Sequence, residues 1–198
     1  MDILKNLSII IPNHNEVRVG EVESWCKRLF PSAEIIVEND LQGYGKGYTV
    51  RNAVKKSTKS WVAFMDADMD IFPMKLFKLL PHAQTHDIVI AKKETSHLSI
   101  PRRILTEGSR LLIKLFFRIP VSDTQTGLKL FKRDTISSWE TNGYLFDVEI
   151  LYKAHIAGRK IKEVPITNVL STKSKGLKEI FKCLKELNTL YVRLSSRL

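Results

Sequence analysis

Trp61-Val62-Ala63-Phe64-Met65-Asp66-Ala67-Asp68-Met69-Asp70 is the stretch that decides how this chain is read. Five apolar residues in a row, several of them β-branched or aromatic, read as a short strand buried on both faces. The run leads straight into three carboxylates at alternate positions. In an open α/β sheet ligands bind where parallel strands end, so these acids fall at the edge that can meet a substrate. Neighbouring carboxylates repel unless a cation intervenes, and hard oxygen donors suit Mg²⁺ or Mn²⁺. Asp66, Asp68 and Asp70 are therefore the candidate metal ligands. An EF-hand loop opens with the same spacing, but Ile71 stands at its glycine and Phe77 at its glutamate. The plainer reading is a solvated turn capping the next helix, with Asp70 ahead of Phe72-Pro73 as part of that cap.

Working outward, strands and helices alternate. Residues 7–11 form an apolar strand stopped by Pro12, and Val19, Val22, Trp25, Cys26 and Leu29 recur at helical spacing before Pro31. Residues 35–37 and 88–91 read as strands and 46–56 as a helix. Pro73 opens a helix over 73–80, since proline is tolerated at a first helical position. A basic, strongly apolar helix follows over 102–118, then a strand over 127–131. A helix over 146–157 is capped by Gly158, and 161–166 is a strand. The tail over 177–198 is amphipathic, with Leu177, Ile180, Phe181, Leu184, Leu187, Tyr191 and Leu194 on one side. This is one α/β domain with a helical C-terminus: 1–175 the body, 176–198 a helix packed on it or facing a membrane.

With 198 residues, 43% of them hydrophobic and 27% charged, the chain has the composition of a globular domain. Its net charge of +11 calls for an anionic partner. Nucleic acid, an anionic bilayer and a phosphorylated substrate all meet that demand. Lysine and arginine are spread along the chain, with no aromatic-basic RNA signature and no zinc spacing, which disfavours nucleic acid. Cys26 and Cys183 lie in helical segments without metal spacing and read as a reduced, buried pair. Asp2 and Lys5 precede only a short apolar run, so no signal peptide is expected. No stretch reaches the ~18 apolar residues of a spanning helix. The expected location is cytoplasmic, peripheral on the cytoplasmic face of a membrane.

Gly43-Tyr44-Gly45-Lys46-Gly47 has the look of a phosphate loop, yet a P-loop needs Ser or Thr where Gly47 stands. The dinucleotide fingerprint finds no glycine at Tyr48 or Val50. The plain alternative is a flexible connection before a helix.

Taken in order, several motifs resemble family 2 glycosyltransferases of GT-A fold, in particular the dolichyl-phosphate mannose and glucose synthases. They are Ile9-Ile-Ile-Pro-Asn-His-Asn15-Glu16, Ile36-Val-Glu38-Asn-Asp40, Gly45-Lys46-Gly47 and Met65-Asp66-Ala-Asp68-Met-Asp70. Asp123-Thr-Gln-Thr-Gly127-Leu-Lys-Leu-Phe131, Phe146-Asp147-Val-Glu149 and Glu163-Val-Pro165-Ile complete the set. The resemblance implies a Rossmann-like mixed sheet flanked by helices, and an inverting transfer from a GDP- or UDP-linked sugar. By that likeness Pro12, Asn13, Asn15 and Glu16 line the nucleotide pocket, with Glu38 and Asp40 near the base. Lys46 lies on the donor side, Asp66 faces the ribose and metal, and Asp68 the metal and diphosphate. Asp70 replaces the glutamine usual in the lipid-phosphate enzymes, and Lys173 or Lys175 resembles the basic segment that closes over donor phosphates. Two departures touch base recognition. Few residues separate Glu38 from Gly45, so the family's usual third strand is missing or reduced, and Glu38-Asn-Asp-Leu41 stands for Asp-Asp-Gly-Ser.

The acceptor decides which further groups are needed. A hydroxyl requires a general base, for which Asp123, Asp147 and Glu149 are candidates beside Asp68 in the catalytic set. A phosphate arrives ionised and requires only cations. Arg102 and Thr106 match an Arg-x-x-x-Ser pattern that holds the acceptor phosphate in the lipid-phosphate enzymes, and Lys93 stands where those enzymes have arginine. The preferred acceptor is therefore a polyprenyl (dolichyl) phosphate. The alternatives are a glycan, lipid or protein hydroxyl, and, in another class, a basic domain that binds nucleotides or nucleic acid without catalysis.

Overall fold

The computed structural model describes residues 3–94, 100–136, 138–167 and 177–196, without the side chains of 101, 102, 105 and 177–185. Six strands form one sheet: β1 (Leu7–Asn13), β2 (Glu34–Asn39), β3 (Trp61–Met65), β4 (Ile88–Lys93), β5 (Leu128–Lys132) and β6 (Ile161–Ile166). Their order across the sheet is β2-β1-β3-β5-β4-β6. β1 is parallel to β2 and β3, and β4 to β6, while β5 runs antiparallel to both β3 and β4. The mixed sheet follows directly. No described strand lies between β2 and the helix that begins at Lys46, which matches the short connection expected after Glu38.

Both faces are covered, which is why the central strands read as unbroken apolar runs. Alternate residues of one strand enter opposite cores: Ile10 joins one, Ile9 and Ile11 the other. The first core is closed by α2 (Lys46–Lys56), α3 (Ile100–Phe117), α4 (Phe146–Ile156) and α5 (Leu177–Ser195). Leu187, Leu190 and Leu194 of α5 are buried there, so the outer half of that helix packs on the body of the domain. The second core is closed by α1 (Val19–Leu29) and the segment 73–84, through Val22, Cys26, Leu76 and Leu79. Cys26 is buried, and burial pushes its thiol up to about 12, so it stays an inert packing group.

One element departs from expectation. Residues 73–84 form two short 3₁₀ turns, Pro73–Lys78 and Leu80–Gln84, instead of an α-helix. Pro81 disfavours continuing the α conformation through Leu80, and the stretch between the prolines is too short to propagate a helix.

Candidate active site

β1, β2, β3 and β4 end at the same edge, and antiparallel β5 begins there, so motifs far apart in the chain converge. Met65 of β3 lies opposite Leu128, and the Asp66 N–H donates to the Gly127 carbonyl at 2.9 Å. A Cβ at Gly127 would stand 2.3 Å from Asp66 Oδ2, so only glycine leaves room for that carboxylate. Beyond it the chain turns at Met69, whose φ is +62°, and Asp68 Oδ1 accepts the Asp70 N–H at 3.0 Å. The three acids thus sit on a side-chain-locked turn.

Two of them are already matched by lysines. Lys46, at the start of α2, donates to Asp66 Oδ1 at 2.5 Å, and Lys93, at the end of β4, is hydrogen-bonded to Asp70 Oδ2. Burial alone would raise the Asp66 carboxyl, but Lys46, with Lys93 and Lys129 farther off, holds it below the usual range. Burial would likewise lower Lys46, and Asp66 and Asp147 raise it instead. Asp68 is the exception. Burial pushes its carboxyl up, the Asp70 N–H opposes this, and the charges of Asp66 and Asp70 add to the rise.

The three acids do not surround one point. Among the described residues no group of three or more His, Cys, Asp or Glu side chains is arranged to hold an ion, which corrects the three-aspartate cage expected from spacing. The reason is the lysine on Asp66 and the lysine on Asp70. What remains is Asp68 and the Oδ1 of Asp70, a buried oxygen with no hydrogen-bond partner. One or two carboxylates with phosphate oxygens and water suffice for Mg²⁺ or Mn²⁺, so this smaller donor set fits such an ion.

The candidate bases are committed elsewhere. Glu149 is fully buried and accepts from the N–H groups of Glu140 and Thr141, the Thr141 hydroxyl at 2.6 Å and Arg193 at 2.6 Å. It also pairs with Lys153 at 2.8 Å. Burial opposes ionisation, but Lys153, Thr141 and Glu140 outweigh it and bring Glu149 down to about 2, so it is a structural hub and not a proton acceptor. Asp147 is buried and pairs with Lys129 at 3.0 Å. Burial raises Asp147 and lowers Lys129, the mark of a pair held at a cost. Asp123 Oδ2 accepts from Arg110 at 2.6 Å and from the Lys93 N–H at 2.9 Å.

The residues matched to the nucleotide lie at the tips of β1 and β2. Pro12 and Asn13 end β1, and Asn13 donates to Asn39 of β2 at 2.7 Å while accepting the Glu16 N–H at 3.0 Å. Asn15 is exposed at φ +55°, and Glu38 pairs with Lys56 at 2.5 Å. Glu38, Asn39 and Asp40 line an open hollow of about 230 Å³ with Tyr44, Tyr48 and Asn52. Asp40 itself caps the glycine loop, accepting from the N–H groups of Tyr44 and Gly45 at 2.9 and 2.8 Å. The N–H groups of Gly47 and Tyr48 are taken by the Asn142 carbonyl at 2.7 and 3.3 Å. That loop is therefore neither a phosphate cradle nor a flexible link: it is a packed joint, from which Lys46 reaches Asp66.

Of the residues matched to the acceptor, Lys93 stands between Asp70 and α3, and Thr106 lies one turn before Arg110 on that helix. The Arg102 side chain falls outside those described, and Lys173 and Lys175 lie outside the described residues. Lys129 and Arg110 were not legible as site residues. The available signal was a lone lysine inside the apolar run of β5 and a lone aspartate inside that of α4.

A mixed sheet of this order, with an acidic turn at the end of β3, has the GT-A fold. The solved glucosyl-3-phosphoglycerate synthase from Mycobacterium tuberculosis in complex with Mn²⁺, UDP and phosphoglyceric acid superposes with a TM-score of 0.72 at 17% identity, covering 89% of this chain and 73% of that one. Residues 19–138 match the model of glycosyl transferase family 2, and the chain belongs to that family. It is 25% identical over 151 residues to the undecaprenyl-phosphate mannosyltransferase of Micrococcus luteus, covering 70% of this chain and 62% of that protein. To the dolichyl-phosphate β-glucosyltransferase of Drosophila melanogaster it is 30% identical over 145 residues, 64% of this chain and 44% of the relative. The chain therefore spans between two-fifths and two-thirds of the curated relatives it matches.

Proposed function

We propose that this chain transfers a hexose, with inversion, from a nucleotide-sugar to a polyprenyl phosphate. The observation that carries the acceptor is the state of the three candidate bases. Glu149, Asp147 and Asp123 each face a cation, so none is free to take a proton from a hydroxyl. A phosphate monoester is already ionised and needs no base. The two curated relatives act on undecaprenyl and dolichyl phosphate, which supports the same class here.

In this reading the GDP or UDP moiety lies across the tips of β1 and β2, with the base at the hollow beside Glu38, Asp40 and Tyr44. Pro12, Asn13, Asn15 and Glu16 shape its near wall, and Lys46 reaches the diphosphate from α2. A Mg²⁺ or Mn²⁺ ion held by Asp68 and Asp70 would supply Lewis-acid neutralisation of the leaving diphosphate. Lys93 and Thr106, with Arg102, orient the acceptor phosphate on the opposite side. Ile104 and Leu115 of α3 are two-thirds exposed beside the cations Arg103 and Lys114, a surface suited to lie on a bilayer. No helix of the described residues is long and apolar enough to cross one.

The test supplies labelled GDP- and UDP-sugars with Mn²⁺ and either polyprenyl phosphate or a neutral glycan. Label entering the lipid phosphate is expected. Label entering only the glycan would refute the acceptor, and no transfer to either would refute catalysis.

A further inference from the structure

Among the described residues, Lys93 is the cation that both meets the acidic turn and borders the acceptor helix, so whatever fixes its position fixes how the two substrates face each other. Its backbone is clamped on both sides. The Lys93 N–H donates to Asp123 Oδ2 at 2.9 Å, and its carbonyl accepts from Arg110 Nη2 at 3.2 Å. The same Nη2 donates to Asp123 Oδ2 at 2.6 Å, closing a ring around the last residue of β4. Arg110 is only 9% exposed, and its second arm donates to Glu107 at 2.9 Å. Asp123 is held in turn by Glu163 of β6, which accepts the N–H groups of Ser122 and Asp123 at 2.8 and 2.7 Å.

This arrangement is costly to build. A guanidinium and a carboxylate lose most of their hydration, and the Nε of Arg110 is buried without a partner. An apolar pair would close the same space at a lower penalty, and β4 already pairs with β5 and β6, so the sheet alone does not require it. What the ring adds is a rigid seat for a side chain that otherwise has four rotatable bonds and a point charge. Arg110 also occupies the register position one turn beyond Thr106 and two beyond Arg102, which places it under the acceptor face of α3.

We propose that Arg110 is a positioning residue for the acceptor phosphate: through Asp123 and the Lys93 carbonyl it fixes the backbone at the end of β4 from which the Lys93 ammonium reaches that phosphate. The inference rests on the acceptor reading above. Arg110 acts through Lys93, so its effect vanishes when Lys93 is gone. Arg110→Gln removes the charge and the clamp, and Arg110→Lys keeps a charge but loses the arm to Glu107 and ends one bond short of the Nη2 that bonds both Asp123 and the carbonyl.

The experiment is a double-mutant cycle on affinity for undecaprenyl phosphate in detergent micelles, with nucleotide affinity measured alongside. Lys93→Met and Arg110→Gln are each expected to weaken lipid-phosphate binding about tenfold, the scale of one lost charged hydrogen bond, and the double variant no more than either alone. Nucleotide affinity stays unchanged in Arg110→Gln, which a general loss of structure would not allow. Arg110→Lys recovers only part of the loss, and because it keeps the buried charge balanced it reads the same question if Arg110→Gln fails to fold. Additive losses in the double variant, or full recovery by Arg110→Lys, would overturn the positioning role. A wild-type protein that binds nucleotide but no polyprenyl phosphate would overturn the acceptor reading itself, and the inference with it.

Discussion

Replacing Glu149 with glutamine tests the conclusion that this buried acid builds the domain and does not move protons. In the folded chain it is brought from its ordinary 4.5 down to about 2. At about 1.4 kcal/mol per pH unit, ionised Glu149 contributes roughly 3 kcal/mol to the folded state at neutral pH. Glutamine keeps the shape but turns one oxygen into a donor, and both oxygens of Glu149 are now surrounded by donors: Glu140 N–H, Thr141 N–H and hydroxyl, Lys153 and Arg193. The amide cannot satisfy that set, while Lys153 and Arg193, at 22% and 26% exposure, can turn to water and soften the loss. Urea unfolding followed by circular dichroism at pH 7 should therefore show Glu149→Gln destabilised by roughly 3 kcal/mol. The sign with pH is fixed by the depressed value. The stabilisation is complete above about 4.5 and disappears as pH falls through about 2, so the gap between wild type and variant should be roughly halved by pH 3. Turnover measured well below the unfolding transition should keep its pH profile. A gap that does not change between pH 7 and pH 3, or a lost basic limb in the turnover profile, would refute this account.

Three further outcomes are expected. Asp68→Asn should cut turnover by at least about a hundredfold, since the acid without a lysine is the one left to serve the diphosphate side, while its melting temperature stays near wild type; unimpaired turnover would remove Asp68 from the site. Lys129→Met strands Asp147 in the core and should cost about 3–5 kcal/mol, and adding Asp147→Leu should restore most of it, both read by urea unfolding. The protein should sediment with vesicles of anionic lipid at low salt, and Ile104→Glu with Leu115→Glu should leave it in the supernatant, because those two side chains are two-thirds exposed apolar points of α3 about three turns apart.

Which segments became strands and helices was legible along the chain, because periodicity and proline are local signals. The runs 46–56, 61–65 and 161–166 coincide with α2, β3 and β6, and the exception over 73–84 turned on Pro81. The location of the acidic turn was legible for the same reason: a buried strand ending in acids must put them at the open edge of the sheet. The partners of those acids were not. Lys46 meets Asp66, Lys93 meets Asp70 and Arg110 meets Asp123 only because β3, β4, α2 and α3 are brought side by side. A carboxylate at a given position looks the same in the sequence whether it faces water, a metal or a guanidinium. Its charge state and its task are set by distances of a few ångströms and by loss of solvent, quantities that come into being only when the chain has closed on itself. Glu149 is the clearest instance: by position a candidate base, by its surroundings a fixed anion tying α4 to α5.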